Sequence, residues 1–458
     1  MEINSISQLY ALFKESRGIS IDTRQLQAGQ MYWALRGNRF NGNDFAKEAL
    51  EKGAFYAVID DEKVYEKNKG VDSLVKVENT LVALQCLARY HREQCKDLKV
   101  VGITGSNGKT TTKNLIAAVL AKKYSVFATP GNKNNHIGLP LSVLSLSSFH
   151  QVAVLELGDN HPGEIEFLCS IAQPNWGLIT NIGYDHMEFY EDLSENANTK
   201  LALFEYVYQR EGKIFVNYQD YFLRNWALGK KNDKVLILYN SEDSLRYEVR
   251  ELRIDGLRLE IFQKQEPVLS IRSRLVGKYN AENILAAVVV GKALGVELEM
   301  IQEAIEAYVS KDNRSEYLEK GKWKVLLDAY NANPSSMRAA LQSLLPKPNS
   351  QVVVILGDMN ELGNFSAKAH QEIAQLIIQL QPGCFIGIGE WMCQAAKWVN
   401  KQNSKTHAYG FNTLGDFLLN GIAYLVPYEV IFIKGSRSLA LEKIVDYLDG
   451  YTAFSRVN

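Results

Sequence analysis

The 458-residue chain has almost no net charge, with 51 lysines and arginines against 52 aspartates and glutamates and a formal balance of -1. It lacks the positive excess with which nucleic-acid-binding domains neutralise phosphates, so no nucleic-acid partner is expected. Cysteine is scarce. Cys86, Cys95, Cys169, Cys384 and Cys393 are odd in number, scattered and never spaced as a metal-binding C-x-x-C pair, which fits reduced thiols in a cytosol. Long apolar runs are missing too: the most apolar segment, Ile284 to Val290, is followed closely by Lys292, and no membrane span is expected. The start, Met1-Glu2-Ile3-Asn4, has neither the basic residues nor the apolar stretch of a signal peptide, so the expected location is cytoplasmic. No low-complexity segment and no solenoid-length repeat occurs.

What is there is enough chain for several cores, about three at roughly 150 residues per domain. Residues 1–82 mix a short strand-like run, Gly53 to Ile59, with glycine turns around Gly37 and Gly42, and read as a small α/β domain. Residues 83–312 form the second unit. The helix Thr80 to His91 leads into strands expected at Lys99 to Ile103, Val152 to Leu155 and Gly177 to Thr180, alternating with helices as in a mostly parallel sheet. Tyr247 to Phe262 alternates polar and apolar residues and predicts an attached antiparallel hairpin. Residues 313–458 repeat the alternation as a doubly wound, Rossmann-like domain. Its strands are expected at Lys324 to Leu327, Gln351 to Leu356, Cys384 to Ile388 and Glu429 to Ile433, and its helices at Ser335 to Leu345, Ala367 to Leu380, Leu414 to Leu425 and Leu439 to Leu448. The expected fold class is α/β in three domains.

The strongest chemical signal is the loop Gly105, Ser106, Asn107, Gly108, Lys109, Thr110 and Thr111, between a strand and a helix whose Leu115, Ile116, Val119 and Leu120 share one face. Strand, glycine loop and helix in that order present backbone N–H groups and a positive helix end to a phosphate. Lys109 is then a charged clamp, and Thr110 is placed to offer its hydroxyl to Mg2+. The strict G-x-x-x-x-G-K-[ST] pattern misses by one residue, since Ile103 stands where the first glycine belongs and Gly102 is one step early. A generic glycine turn is the alternative.

Ligands of doubly wound sheets sit beyond the carboxyl ends of the strands. Glu156 and the pair Asp185-His186 fall there, and oxygen ligands with one imidazole suit Mg2+ or Mn2+ beside phosphates. Taken singly each would be an ordinary capping or solvated side chain; their shared topological position makes them candidates. In the third domain the runs Asp328 to Pro334, Gly357-Asp358-Met359 and Lys434-Gly435-Ser436-Arg437 also follow strands. Asn331-Ala332-Asn333-Pro334 is equally readable as a plain turn and helix start.

In this order the segments resemble the Mur ligases, and within them the branch that adds D-alanyl-D-alanine to UDP-N-acetylmuramoyl-tripeptide. The resemblance runs over nearly the whole chain. It takes in Asp22-Thr23-Arg24, Gly37 to Phe45, the loop Thr104 to Thr112, Gly131 to Pro140, Glu156-Leu157-Gly158, Gly163-Glu164-Ile165 and the C-terminal runs. The displaced glycine belongs to it, because the family's loop reads T-G-[ST]-x-G-K-T. The resemblance implies an ATP-dependent peptide ligase using two Mg2+ and proceeding through an acyl phosphate. It implies that residues 1–82 bind the UDP part of the acceptor, through Thr23 and Arg24, that residues 83–312 bind ATP, and that residues 313–458 bind the dipeptide and close over ATP. It implies that Lys109 and Thr110 hold phosphates and Mg2+, that Glu156 and His186 hold metal, and that Asn280 and Asn283 contact the nucleotide. Arg314 and Asp328 would reach ATP from the third domain, while Asn135, Tyr330, Asn331, Asn333 and Lys434 would lie near the substrates. Lys200 matches a lysine carried as a carbamate, an anion able to support the second Mg2+.

Three positions depart from the family pattern: Tyr279 replaces a common histidine, Asn41 to Phe45 reads N-G-N-D-F for D-G-H-D-F, and Asp159 stands where a small residue is usual. Small-molecule substrates and a monomer are expected. Two other readings are a sibling that adds a single amino acid, such as the tripeptide-forming enzyme or a folylpolyglutamate synthase, and a nucleotide-regulated switch. Tyr330 to Pro334 weighs against the sibling, and the absence of an N-K-x-D motif weighs against a guanine-nucleotide switch.

Overall fold

Buried parallel strands need apolar residues on both faces, and the runs Val100-Val101-Gly102-Ile103 and Val152-Ala153-Val154-Leu155 supply them. The computed structural model, which describes residues 1–3, 5–402 and 404–454, places them at the centre of a six-stranded sheet. Its strands are β5 (Lys99–Thr104), β6 (Val126–Ala128), β7 (Val152–Glu156), β8 (Trp176–Ile179), β9 (Lys213–Asn217) and β10 (Leu236–Tyr239). All are parallel, in the order β10-β9-β8-β5-β7-β6. β5 has β7 on one side and β8 on the other. The chain therefore leaves β5 in opposite directions, and a crevice opens at its carboxyl end.

A smaller sheet precedes it, with β1 (Ile19–Ser20), β2 (Met31–Trp33), β3 (Tyr56–Ile59) and β4 (Leu74–Lys76) parallel and in sequence order. Helix α1 (Thr80–Gln94) joins the two units. Asn79 caps it through Val82 N, and the Trp33 indole donates to Thr80 O at 2.7 Å. Its buried Leu84, Leu87 and Ala88 share one core with Leu9 and Phe13 of the first unit and Leu139 and Val143 of the second. Residues 82 and 83, between which the sequence suggested a boundary, lie inside this helix.

After β10 the expected hairpin is a three-stranded antiparallel sheet, β11 (Leu245–Arg253), β12 (Gly256–Gln263) and β13 (Glu266–Ser273). The third strand was not foreseen because it buries only Ile271 and Ser273, too little to print an alternation on the sequence.

The last sheet contains β14 (Glu316–Lys320), β15 (Trp323–Asp328), β16 (Asn349–Gly357), β17 (Pro382–Ile388), β18 (His407–Phe411) and β19 (Val430–Lys434). Its order is β14-β15-β19-β16-β17-β18, with only β14 antiparallel. Two expected helices are interrupted. Leu414 to Leu425 divides into Leu414–Asn420 and a 3-10 turn, Ile422–Leu425, at Gly421, where any side chain would strike the Phe417 ring. Leu439 to Leu448 becomes a 3-10 turn, Arg437–Leu439, and a helix, Lys443–Phe454, because Ala440 turns left-handed at φ 50°.

Candidate active site

Helix α2 (Lys109–Leu120) begins directly after the loop that leaves β5, so its first N–H groups point into the crevice. Two glycines allow the loop this path. Gly105 has φ +137°, and a Cβ there would sit 2.1 Å from Thr180 Oγ1; Gly108 has φ +81° and packs against Asn283 Oδ1. Asn107 N donates to Asn181 Oδ1 at 3.1 Å, Thr180 Oγ1 donates to Asn107 O at 2.6 Å, and Lys109 Nζ folds back to Gly105 O. The loop is thus held in shape by protein groups.

A cleft of about 520 Å³ separates this loop from the third unit. Ser106, Asn107, Gly108, Lys109, Thr110, Thr111, Glu156, His186, Asn280 and Asn283 line one wall. Arg314, Asp328, Tyr330, Asn331, Asn333 and Lys434 line the other. Thr110 Oγ1 donates to Glu156 Oε1 at 3.0 Å, and Asn134 Nδ2 reaches the same oxygen at 2.9 Å. Glu156 Oε2 is buried with no hydrogen bond, 3.6 Å from Lys113 Nζ. Burial pushes the Lys113 ammonium down, against the pull of Glu156.

On helix α4 (Asn280–Ala293), Asn283 Nδ2 donates to Asn280 Oδ1 at 2.8 Å and Asn283 Oδ1 accepts from Thr112 Oγ1 at 3.1 Å, which fixes both amides beside the loop. Tyr279, just before it, is half-buried at the cleft wall and bonded through its hydroxyl to Ser315 Oγ at 2.6 Å. Burial pushes this phenol up.

The facing wall is also charged. Lys434 at the end of β19 pairs with Asp328 at the end of β15 at 2.5 Å and donates to Asn331 O at 3.2 Å. Arg314 lies 3.5 Å over the Tyr330 ring, with a buried Nε that has no hydrogen bond. Besides the Tyr279–Ser315 bond, the two sides meet at several points. Asn333 Nδ2 donates to Asn107 Oδ1 at 2.9 Å, Tyr184 N donates to Ser335 Oγ at 3.3 Å, and the His186 ring meets Glu361 at 2.7 Å. The His186 ring beside it holds the Glu361 carboxyl below its usual range.

Five of the expected residues lie away from the cleft wall, Gly105 at the start of the phosphate loop being one. Thr23 and Arg24 belong to the first unit, where the exposed Arg24 pairs with Asp22 at 2.7 Å. Asn135 turns its side chain to Ile137 N and Gly138 N at a helix start. Lys200, on helix α3 (Leu193–Tyr208), is wholly buried beside Asp159.

Sequence reasoning missed Lys113, Asn134, Asn181 and Glu361, and noted Asp159 only as a departure from the family pattern. Lys113 lies one helical turn beyond Lys109, a spacing that puts both on the same face and could have flagged it. Asp185 is buried and does not line the cleft itself, but it holds Ser106, which does. Burial opposes its charge, but Lys200, Lys109, His186 and the Ser106 hydroxyl at 2.6 Å hold its carboxyl below the usual range. Among the described residues no three His, Cys, Asp or Glu side chains converge into a ready-made metal cage. Mg2+ does not need one, because it keeps waters and takes substrate phosphate oxygens. The unbonded Glu156 Oε2 next to the Thr110 hydroxyl fits such an ion.

Models of known families match the chain in three stretches: the Mur ligase family catalytic domain over residues 15–92, the Mur ligase middle domain over 103–291 and the Mur ligase glutamate ligase domain over 313–437. The UDP-N-acetylmuramoyl-tripeptide--D-alanyl-D-alanine ligase of Treponema pallidum (strain Nichols) is 32% identical over 434 residues, covering 93% of this chain and 92% of that protein. The ligase of the same name from Synechocystis is 34% identical over 442 residues, covering 94% and 91%. A crystal structure of MurF from Acinetobacter baumannii superposes with a TM-score of 0.83 at 28% identity, covering 97% of this chain and 98% of that one. With the three matches in chain order and identities above 30% over more than nine-tenths of the length, the chain belongs to the Mur ligase family.

Proposed function

We propose that the protein joins D-alanyl-D-alanine to UDP-N-acetylmuramoyl-tripeptide, driven by ATP, to give the pentapeptide precursor of peptidoglycan. The observation that carries this reading is a single cleft with a phosphate loop on one wall and the Asp328 to Pro334 loop on the other, bridged by Asn107 and Asn333. The named relatives supply the substrates.

The acceptor's terminal carboxylate attacks the γ-phosphorus of ATP, the bond to the β-phosphate oxygen breaks, and ADP leaves an acyl phosphate. The amine of the dipeptide attacks the acyl carbon, the carbon–oxygen bond to phosphate breaks, and the nitrogen loses a proton. Both steps require alignment and charge neutralisation more than covalent help. Lys109 and the α2 N-terminus receive the phosphates, and Asn280 and Asn283 border the nucleotide. Arg314 and the Asp328–Lys434 pair come to ATP and acceptor from the opposite wall, while Tyr330, Asn331 and Asn333 face the incoming dipeptide. Thr110, Glu156 and His186 would hold Mg2+, which supplies charge neutralisation at the phosphates when bound. Residues 1–82, with Thr23 and Arg24, serve the UDP part, residues 83–312 the ATP and residues 313–458 the dipeptide. The place of action is the cytoplasm, and the working unit is a monomer.

Phosphate release from ATP, measured with acceptors ending in lysine or in diaminopimelate, should require both acceptor and D-alanyl-D-alanine. A nucleotide switch would release phosphate without regard to the dipeptide, and a single-residue ligase would prefer a free amino acid.

A further inference from the structure

Lys113 is a cation placed inside the protein. On helix α2, one turn beyond Lys109, it is 2% exposed, and its Nζ donates to Thr129 O at 2.7 Å and to Gly131 O at 3.1 Å. Those carbonyls belong to the turn that follows β6, and the turn is woven around Glu156. Glu156 N donates to Thr129 Oγ1 at 2.9 Å, Asn134 Nδ2 donates to Glu156 Oε1 at 2.9 Å, and Gly158 N donates to Asn134 O at 2.9 Å. Asn132 and Asn134 line the cleft, whereas Lys113 does not. Farther along the same segment, His136 O accepts from Gln85 Nε2 at 3.0 Å, on the helix that joins the first unit to the second.

We propose that Lys113 is a positioning residue for the acceptor: it fastens the turn 129–134 to the phosphate-loop helix, so that the turn guides the acceptor's carboxylate to the γ-phosphate. The inference rests on the ligase reading and deepens it. An acceptor whose UDP part sits on the first unit and whose carboxylate meets ATP has to pass between the two. Residues 129–136 lie on that path, tied to Glu156 at one end and to Gln85 at the other. Helix α2 receives phosphate through its N-terminus and Lys109, and one turn later Lys113 holds the neighbouring segment, so one rigid element sets the distance between the two. Two backbone carbonyls alone would be satisfied by a neutral donor. A buried ammonium is costly unless an opposite charge offsets it, and the charge here is Glu156 Oε2 at 3.6 Å. That separation exceeds a hydrogen bond, so the cation balances the carboxylate and leaves Oε2 without a hydrogen-bond partner.

The full-length protein is assayed with UDP-N-acetylmuramoyl-tripeptide, ATP and D-alanyl-D-alanine as wild type, Lys113→Met, Asn134→Ala and the double variant, and its affinity for ADP is measured by calorimetry. Lys113→Met should lower kcat/KM for the acceptor about a hundred-fold, the scale on which a small misplacement acts, while ADP binds nearly as in the wild type. Asn134→Ala should lower it too, and the double variant should cost little more than the worse single, since both act through one turn. A well-folded Lys113→Met with wild-type kcat/KM for the acceptor, or with an equal loss of ADP affinity, would overturn the proposal, as would full additivity in the double variant. Hydrogen exchange on the wild type needs no variant: the acceptor alone should slow exchange at residues 129–136 more than ADP alone does, and the reverse order would overturn the proposal. Wild-type phosphate release that ignores acceptor and dipeptide would defeat the ligase reading itself, a result separate from any difference among the variants.

Discussion

Asn333 spans the cleft with one amide: its Nδ2 donates to Asn107 Oδ1 at 2.9 Å, while its Oδ1 accepts from Ser336 N at 2.8 Å and caps helix α5 (Pro334–Leu344). The side chain that starts the helix also sets the distance between the phosphate loop and the opposite wall. The two roles separate by substitution. Asn333→Asp keeps the cap but turns an acceptor toward Asn107, so turnover should fall at nearly unchanged melting temperature. Asn333→Ala loses both and should also cost about 1 kcal/mol of stability. Thermal unfolding and steady-state rates measured side by side check this, and equal melting losses for the two variants would contradict it.

Lys109 Nζ rests on Gly105 O and is free to turn to a phosphate. Lys109→Met should lower kcat by about a hundred- to a thousand-fold, the scale on which a single donor to developing charge acts. Stability should hold. Retention of more than a tenth of the rate would remove Lys109 from the phosphate site.

Glu156→Gln leaves the shape of the site but removes the charge beside Thr110. The Mg2+ concentration for half-maximal rate should rise about ten-fold or more, as for other groups that hold or orient a metal ion. An unchanged Mg2+ titration would place the ion elsewhere.

Asp60 ties the first unit to α1, accepting from Thr80 N at 3.1 Å, Thr80 Oγ1 at 3.0 Å and Asn43 Nδ2 at 2.9 Å. Burial opposes its charge, but these bonds and Arg36 hold its carboxyl below the usual range. A carboxylate depressed on folding stabilises fully above its unfolded value of about 3.9 and loses that contribution as pH falls through the folded value. Denaturant midpoints should therefore drop on acidification below about pH 4, and Asp60→Asn should flatten that limb. A wild-type acid limb retained in Asp60→Asn would contradict the assignment.

The same residues show what the sequence can carry. β5, β7, β15, β16 and β19 were legible because strands buried on both faces are nearly continuous apolar runs. The two-residue β1, the three-residue β6 and the edge strand β14 leave no such trace. The phosphate loop was legible because its chemistry demands glycines between a strand and a helix. The Asp159–Lys200 pair was not, since its members stand 41 positions apart and only the fold brings them together. Lys113 looks like an ordinary surface helix lysine, yet it is 2% exposed and bonded to Thr129 O. Asn43, a departure at sequence level, proves to be a structural amide that closes on the Asp60 carboxylate and backbone.

The central claim, ligation through an acyl phosphate, is tested most directly by isotope transfer. The acceptor tripeptide is labelled with 18O in its terminal carboxylate and turned over with ATP and D-alanyl-D-alanine, and the released phosphate is analysed by mass spectrometry. One carboxylate oxygen should appear in each phosphate, and the label should stay out of phosphate when the acceptor is withheld from turnover. Phosphate released at the full rate with no label from the acceptor would mean that water, not the carboxylate, takes the phosphoryl group, and would contradict the account.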